Sequence, residues 1–363
     1  MKPFSPLYFI SQNKSRCILL MLMIFLSYGV YLGGLYVSNP GDNWSLYIDY
    51  YKDIATISVG LDDDNCSEYE AFRKEIEAND KITVLETGEW SGLHWNTIMG
   101  FDSGICSFTF KSVDDFKTYC EYMDIECNFD NLKNGSFIMS EMFAKNKNLK
   151  IGDKIDKNYH SYIYDEYSLD ALTQEKGYVA YFINDEFVGS YPTIILLGNG
   201  IRGNELYDII YEVQSRHNVY VYDTLKDEVE PQFEIFNTIY NFVVIFLSII
   251  LAITINAAFV GMYQRRNFEF AVYRAIGISK RRVIGKIVGE LLWIDLITLV
   301  IGGAVFFLGL YLFNNMVLYP IGKYLEYFHP TALFGLILSN VMVVLPLIIT
   351  RCRQMLKADI CDY

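Results

Sequence analysis

Four long apolar blocks, separated by polar stretches of very unequal length, constrain this sequence more than any other feature in it. A helix needs about 20 mostly apolar residues to cross a hydrocarbon layer about 30 Å thick. Cys17 to Val37, Phe236 to Met262, Leu296 to Phe313 and Thr331 to Thr350 meet that requirement. Because lipid offers no partner for backbone N–H and C=O groups, each block is predicted to be helical. The first is longer than the apolar core of a secretory leader and lacks a small-residue cleavage site before Val37, so it reads as a retained anchor.

Basic residues orient the blocks, since the cytoplasmic flanks of membrane helices carry the positive excess. Lys2, Lys14 and Arg16 precede the first block. Arg265, Arg266, Arg274, Lys280, Arg281, Arg282 and Lys286 lie between the second and third, and Arg351, Arg353 and Lys357 follow the fourth. These three segments, with both termini, are expected inside a cell membrane, leaving residues 38–234 and the loop from Asn314 to Pro330 outside. The predicted divisions are 1–37, an amphipathic elbow and first helix; 38–234, an exterior domain; 235–350, helices two to four with a cytoplasmic segment at 263–286; and 351–363, a tail. The elbow, LYFISQNKSR, is expected to lie along the inner leaflet.

The net charge of −13 hides a division. Residues 38–234 hold 16 Lys and Arg against 37 Asp and Glu, a net −21, and the rest holds 14 against 6, a net +8. Nucleic acid is excluded as a partner of so acidic a domain, and the acidity is read first as keeping it soluble. Cys66, Cys106, Cys120 and Cys127 fall in this domain, where an oxidising compartment permits disulfides; four cysteines allow three pairings and the sequence does not choose. His94, His160, His217 and His329 are scattered without metal-ligand spacing.

The exterior domain reads as mixed α and β. Segments 55–59, 81–86, 107–111, 178–184, 193–197 and 219–223 are rich in β-branched and aromatic residues and are predicted strands. Segments 67–79, 113–125 and 204–217 place apolar residues three and four apart and are predicted helices, with Ser112 and Asp115 forming a cap for the second. Strand, helix, strand occurs twice, which points to a split βαβ arrangement. The fold class is therefore membrane α-helical, with four transmembrane helices and a large α/β domain inserted between the first and second.

Between the second and third blocks the chain reads RRNFEFAVYRAIGISKRRVIGKIVGELLWI. Gly277 is a helix stop and Ser279 a cap for the next helix, so a helical reversal is expected there. This segment resembles the one shared by FtsX/MacB-type permeases: a basic pair (Arg265, Arg266), Glu269, then Arg274, Ala275, Ile276 and Gly277, a small polar Ser279, Arg281, Arg282, and Glu290 at the third helix. FIMSEMFAKNKNLKIGDKID is similar to the MacB segment in which a helix precedes a Leu-x-x-Gly-Asp turn. The tail LKADICDY departs from the family's aliphatic ending.

The resemblance implies a mechanotransmission-type ABC permease: a non-catalytic subunit, paired with a second permease subunit and driven by a separate ABC ATPase that carries ATP and Mg. The sequence contains no phosphate-binding G-x-x-x-x-G-K-[ST] of its own, and no cofactor is expected on it. Glu269, Arg274, Ala275 to Ser279, Arg281 and Arg282 are the implied ATPase-coupling residues. The implied cargo is a peptide, lipid-linked molecule or drug outside the membrane; the alternative is an FtsX-type transmitter that activates a cell-wall hydrolase. Within the third helix, Glu290 lies one turn from Lys286 and is explained as an ion pair, whereas Asp295 lies deeper and is a candidate because a carboxyl in hydrocarbon is costly.

Overall fold

The computed structural model describes residues 10, 12–51, 54–59, 66–89, 93–105, 107–155, 166–186, 193–201, 203–217, 219, 221–223, 230–264 and 267–357. It divides into a helical unit (1–38, 238–313, 325–363) and a sheet unit (39–237, 314–324). Most of the basic elbow, Arg265, Arg266, Cys106 and the final tail lie outside the described residues.

In the helical unit, α1 (Lys14–Phe25) and α2 (Ser27–Tyr51) follow one another with a break at Leu26, where the Ser27 hydroxyl donates to the Ile24 carbonyl. Then come α7 (Glu230–Gln264), α8 (Asn267–Ala275), α9 (Lys280–Phe313) and α10 (Pro330–Lys357). Among the described residues, four stretches are long and apolar enough to cross a membrane: Cys17–Asn43, Asn237–Ala257, Lys280–Ile321 and Pro330–Thr350. The third starts well before the expected Leu296. Glu290 and Asp295 interrupt the apolar run, but nothing between Ser279 and Phe313 breaks the backbone, so the helix runs on through them.

Glycines let α9 approach the first span closely. A Cβ at Gly302 would fall 2.9 Å from the Phe25 ring and one at Gly303 2.8 Å from the Tyr28 hydroxyl, which itself donates to the Leu299 carbonyl at 2.7 Å. Small residues at such crossings are a common packing device in membranes.

Among the described residues, the sheet unit is built on a sheet of nine strands in the order β11-β1-β10-β2-β5-β9-β6-β8-β7, numbered along the chain. Its first half is β1 (Ile54–Val59), α3 (Cys66–Glu77), β2 (Ile82–Glu89), then β10 (Thr193–Gly198), α6 (Asn204–Gln214) and β11 (Val221–Asp223). β10 lies between β1 and β2, antiparallel to both, and β11 pairs antiparallel with β1. That is the split βαβ arrangement. α3 and α6 bury Tyr69, Phe72, Ile76, Leu206, Ile210 and Val213 against Ala55, Ile194 and Leu196 of the sheet.

Chain between β2 and β10 supplies the second half: a hairpin of β3 (His94–Asn96) and β4 (Asp102–Gly104), β5 (Ser107–Phe110), α4 (Val113–Met123), β6 (Ser136–Ser140), α5 (Glu141–Lys147), β7 (Lys154–Ile155), β8 (Tyr167–Thr173) and β9 (Ala180–Ile183). β5 extends the first half by pairing with β2, and β9 pairs parallel with β5 and antiparallel with β6. Ser112 caps α4, its hydroxyl accepting from the Asp115 amide and donating to that carboxylate. Phe110, Phe116, Tyr119 and Tyr181 form the aromatic centre of this half, with ring centroids 5.1 to 6.2 Å apart. Cys120 and Cys127 are free thiols in the structure.

Residues 314–324, between α9 and α10, belong to the sheet unit. A π-helical turn (Asn314–Leu318) and a 3-10 turn (Tyr319–Ile321) end at Gly322. The Gly322 carbonyl accepts from Asn146 Nδ2 (3.1 Å) and from the Tyr178 hydroxyl (3.0 Å). A side chain at Gly322 would collide with the Asn146 amide nitrogen and the Met142 carbonyl, so glycine is required by space as well as by its φ of +62°.

Candidate functional site at the turn between α8 and α9

α8 is a nine-residue helix with two faces. Phe270 is buried with Ala252 and Ile255 of α7 and with Val283 and Ile287 of α9. The opposite face exposes Val272 and, just past the helix, Ile276, the latter 70% accessible. Gly277, at φ +85°, ends the helix: its N–H bonds to the Arg274 carbonyl and that of Ile278 reaches back to Tyr273, the left-handed stop expected of glycine there. The Ser279 carbonyl then accepts from the amides of Arg282 and Val283, which opens α9.

A buried cation ties the two helices together. Lys286 Nζ donates to the Tyr273 hydroxyl at 3.1 Å and lies 3.9 Å from both Glu269 Oε1 and Glu290 Oε1. The Tyr273 hydroxyl donates to Glu269 Oε1 at 3.1 Å. The Lys286 side chain is 4% accessible and Glu290 is fully buried. Burying charges is costly unless they are paired and hydrogen-bonded, so the carboxylates on either side are what permit an ammonium here.

Of the residues marked from the sequence, Glu269, Ala275 to Ser279, Arg281, Arg282 and Glu290 are gathered within this reversal. They do not share one role. Glu269 turns toward Tyr273 and Lys286, whereas Ala275, Ile276, Gly277, Ser279, Arg281 and Arg282 are exposed and Arg274 is half-buried. Tyr273 is the member sequence reading passed over; Lys286 figures there only as a basic flank and as the partner of Glu290. The spacing of Lys286 and Glu290 suggests a pair at the membrane interface; its burial depends on α8 folding back over α9, thirteen residues away along the chain for Tyr273.

Asp295 lies apart from this cluster. Its Oδ1 accepts from Asn340 Nδ2 at 2.7 Å, a side-chain bond joining α9 to α10. Buried carboxylates between helices usually find such a partner. The geometry is that of a corner: an exposed tip carrying an apolar side chain and two arginines, tied to α9 through Lys286 between the partly exposed Glu269 and the buried Glu290.

Residues 241–352, which include α8, α9 and nearly all of α10, match the family model of the FtsX-like permease C-terminal domain. Among solved structures, a domain of a protein described as a permease from Porphyromonas gingivalis aligns at 12% identity over 50% of this chain and 88% of its own, with a TM-score of 0.25, below the level of a shared fold. No curated protein matches the chain. The family match contains the whole corner, so residues 241–352 are similar to the FtsX-like permease C-terminal domain, and the residues at that corner are those by which the sequence resembled the family.

Proposed function

We propose that this chain is the membrane subunit of an ABC-type system in which a separate ATPase subunit docks on the α8–α9 corner and moves it. The match of residues 241–352 to the FtsX-like permease C-terminal domain supports a permease role and association with an ABC ATPase. The finer reading rests on one observation: the exposed Ile276, Arg281 and Arg282 stand on a corner whose inner side is held by Lys286 between Glu269 and Glu290. A push on the tip is then carried into α9 instead of being absorbed by local bending. Asp295, bonded to Asn340, passes the displacement from α9 to α10. The partner supplies ATP and Mg; a second permease subunit completes the assembly. The sheet unit, placed outside the membrane, converts the movement into extraction or export of a peptide, lipid-linked molecule or drug.

Tagged chain extracted from native membranes tests this reading, wild type against Ile276→Asp combined with Arg281→Glu, two exposed changes. An ABC ATPase that co-purifies with the wild type and is lost from the variant supports docking at the tip. If the folded wild type brings down no ATPase, the transporter reading fails; equal recovery with both chains moves the docking site elsewhere.

A further inference from the structure

The β3–β4 hairpin ends in an apolar tip that is partly exposed. In the turn Thr97–Phe101, Met99 and Phe101 are 41% and 44% accessible, and a side chain added at Gly100 (φ +87°) would meet nothing within 4 Å. Turns normally carry polar residues at such positions. This one is held stiffly: the Thr97 amide and hydroxyl both donate to the Phe101 carbonyl, at 2.9 and 2.7 Å, and the Gly100 amide donates to the Thr97 carbonyl. The apolar side chains are thus displayed on a fixed loop.

Hydrogen bonds tie that loop to the ends of two membrane-long stretches. Asn39, within the first membrane-long stretch, accepts from the Ile98 amide through Oδ1 and donates through Nδ2 to the Tyr324 carbonyl. Lys323 Nζ donates to the Thr97 carbonyl at 2.9 Å, and Asn146 bridges Asn96 and Gly322. The segment so joined to the hairpin follows Phe313, the last residue of α9, without interruption, and it too exposes Met316, Val317 and Ile321. Two apolar edges, one on the hairpin bonded to Asn39 and one on the 314–324 segment, are therefore joined to the last residues of two membrane-long stretches, Cys17–Asn43 and Lys280–Ile321. Lys323 and Lys147, the latter bonded to Asn96 Oδ1, lie at the base, with Asp102 offsetting part of their charge.

We propose that the hairpin tip, with Met316, Val317 and Ile321, is a lipid-contacting surface that dips into the headgroup boundary of the leaflet on the sheet unit's side. Continuity with the spans is what selects lipid as the occupant: an apolar edge at that depth meets acyl chains first, and cations at its base lie level with phosphates. The surface would hold the sheet unit against the bilayer where a lipid-linked or amphipathic cargo leaves it. The inference rests on the four spans and not on the ATPase.

A fluorophore sensitive to polarity is attached at Met99→Cys, with the native cysteines replaced, in nanodiscs of phosphatidylethanolamine and phosphatidylglycerol. The control carries it at Tyr211→Cys, on α6, where the native side chain is exposed to a similar extent. The Met99 probe should emit further to the blue and be quenched severalfold more by nitroxides on the upper acyl chain than by iodide; the Tyr211 probe should show the reverse. Equal iodide quenching at both positions overturns the proposal. So does protection of the Met99 probe that persists in detergent and is lost on dilution, which would mark a second copy as the occupant. Because the substitutions could disturb folding, the unmodified chain is also crosslinked to a photoreactive phospholipid, and the absence of lipid adducts on residues 97–101 and 316–321 counts equally against it.

Discussion

Lys286 of α9 donates to the Tyr273 hydroxyl of α8 at 3.1 Å, with its ammonium 4.6 Å from the centre of that ring. One side chain thereby meets a phenol, two carboxylates and an aromatic face, and it is the only cation of the corner that is buried among the described residues.

Replacing Lys286 with Met should lower the stability of the corner by about 3 kcal/mol, since it leaves Glu290 buried without its counter-charge. Adding Glu290→Gln should restore most of that loss, because the charge that needed a partner has gone. Thermal unfolding of wild type, both single variants and the double variant in detergent gives the cycle directly. Additive losses would mean that the 3.9 Å approach carries no coupling.

Asn146→Asp tests the junction at Gly322. Asn146 donates to the carbonyls of Asn96 and Gly322 and accepts from the Asn96 amide. Aspartate keeps the acceptor but sets a charged oxygen against two carbonyls, at an expected cost of about 2 kcal/mol. Gly322→Ala should cost at least as much by collision. Hydrogen exchange should speed up at Asn96 and Ile98 in both variants and stay unchanged in α3 and α6.

Asn340→Leu leaves Asp295 without its donor, and the melting temperature should fall. Asp295→Asn in the wild-type background should be milder, because two amides can still bond. Interhelical bonds of this kind are worth about 0.6 to 2 kcal/mol, so the difference is small but measurable.

Glu75 predicts a pH dependence. The hydrogen bond with His217 holds its carboxyl below the usual range, and the neighbouring Arg216 adds to this. A depressed folded value means that the contribution is complete above the ordinary glutamate value and is lost as pH falls through the folded one. Hydrogen exchange in α3 and α6, followed from neutral pH downward, should accelerate in that acid window. Glu75→Gln should flatten the profile.

Cys127 has its thiol pushed up to about 11 by burial and by Glu175, and burial raises Cys120 as well. Thiolate is the reactive form, so both should alkylate slowly with iodoacetamide at mildly basic pH and readily after unfolding. Mass spectrometry of the native and unfolded chain distinguishes the two.

Much of this architecture could be read from residue patterns because its elements obey local rules. Strands such as Ile54–Val59 and Thr193–Gly198 are runs of β-branched residues, and α4 begins at the Ser112 cap its sequence announces. β8 was missed although its burial alternates perfectly, because Ser168 and Asp170 dilute its apolar character. β6 was missed for the opposite reason: all five residues are buried, and Ser140 ends the strand and caps the next helix at once. At the corner, Gly277 and Ser279 were legible as punctuation. The burial of Lys286 was not, since it depends on which neighbour folds over it. Nor did any local signal announce that residues 314–324 pack with the sheet.

The pairing of β1 with β11 sets how the sheet unit can be loaded. Val59 faces Val221 and Ile57 faces Asp223, so the start of the first strand and the end of the last lie at the same end of the ladder. A force drawing these two strand ends apart would open the three pairs one after another, like a zip, whereas one that turns both ends together moves the ladder as a block. A load that spreads those two ends would begin by unfastening the sheet's own edge.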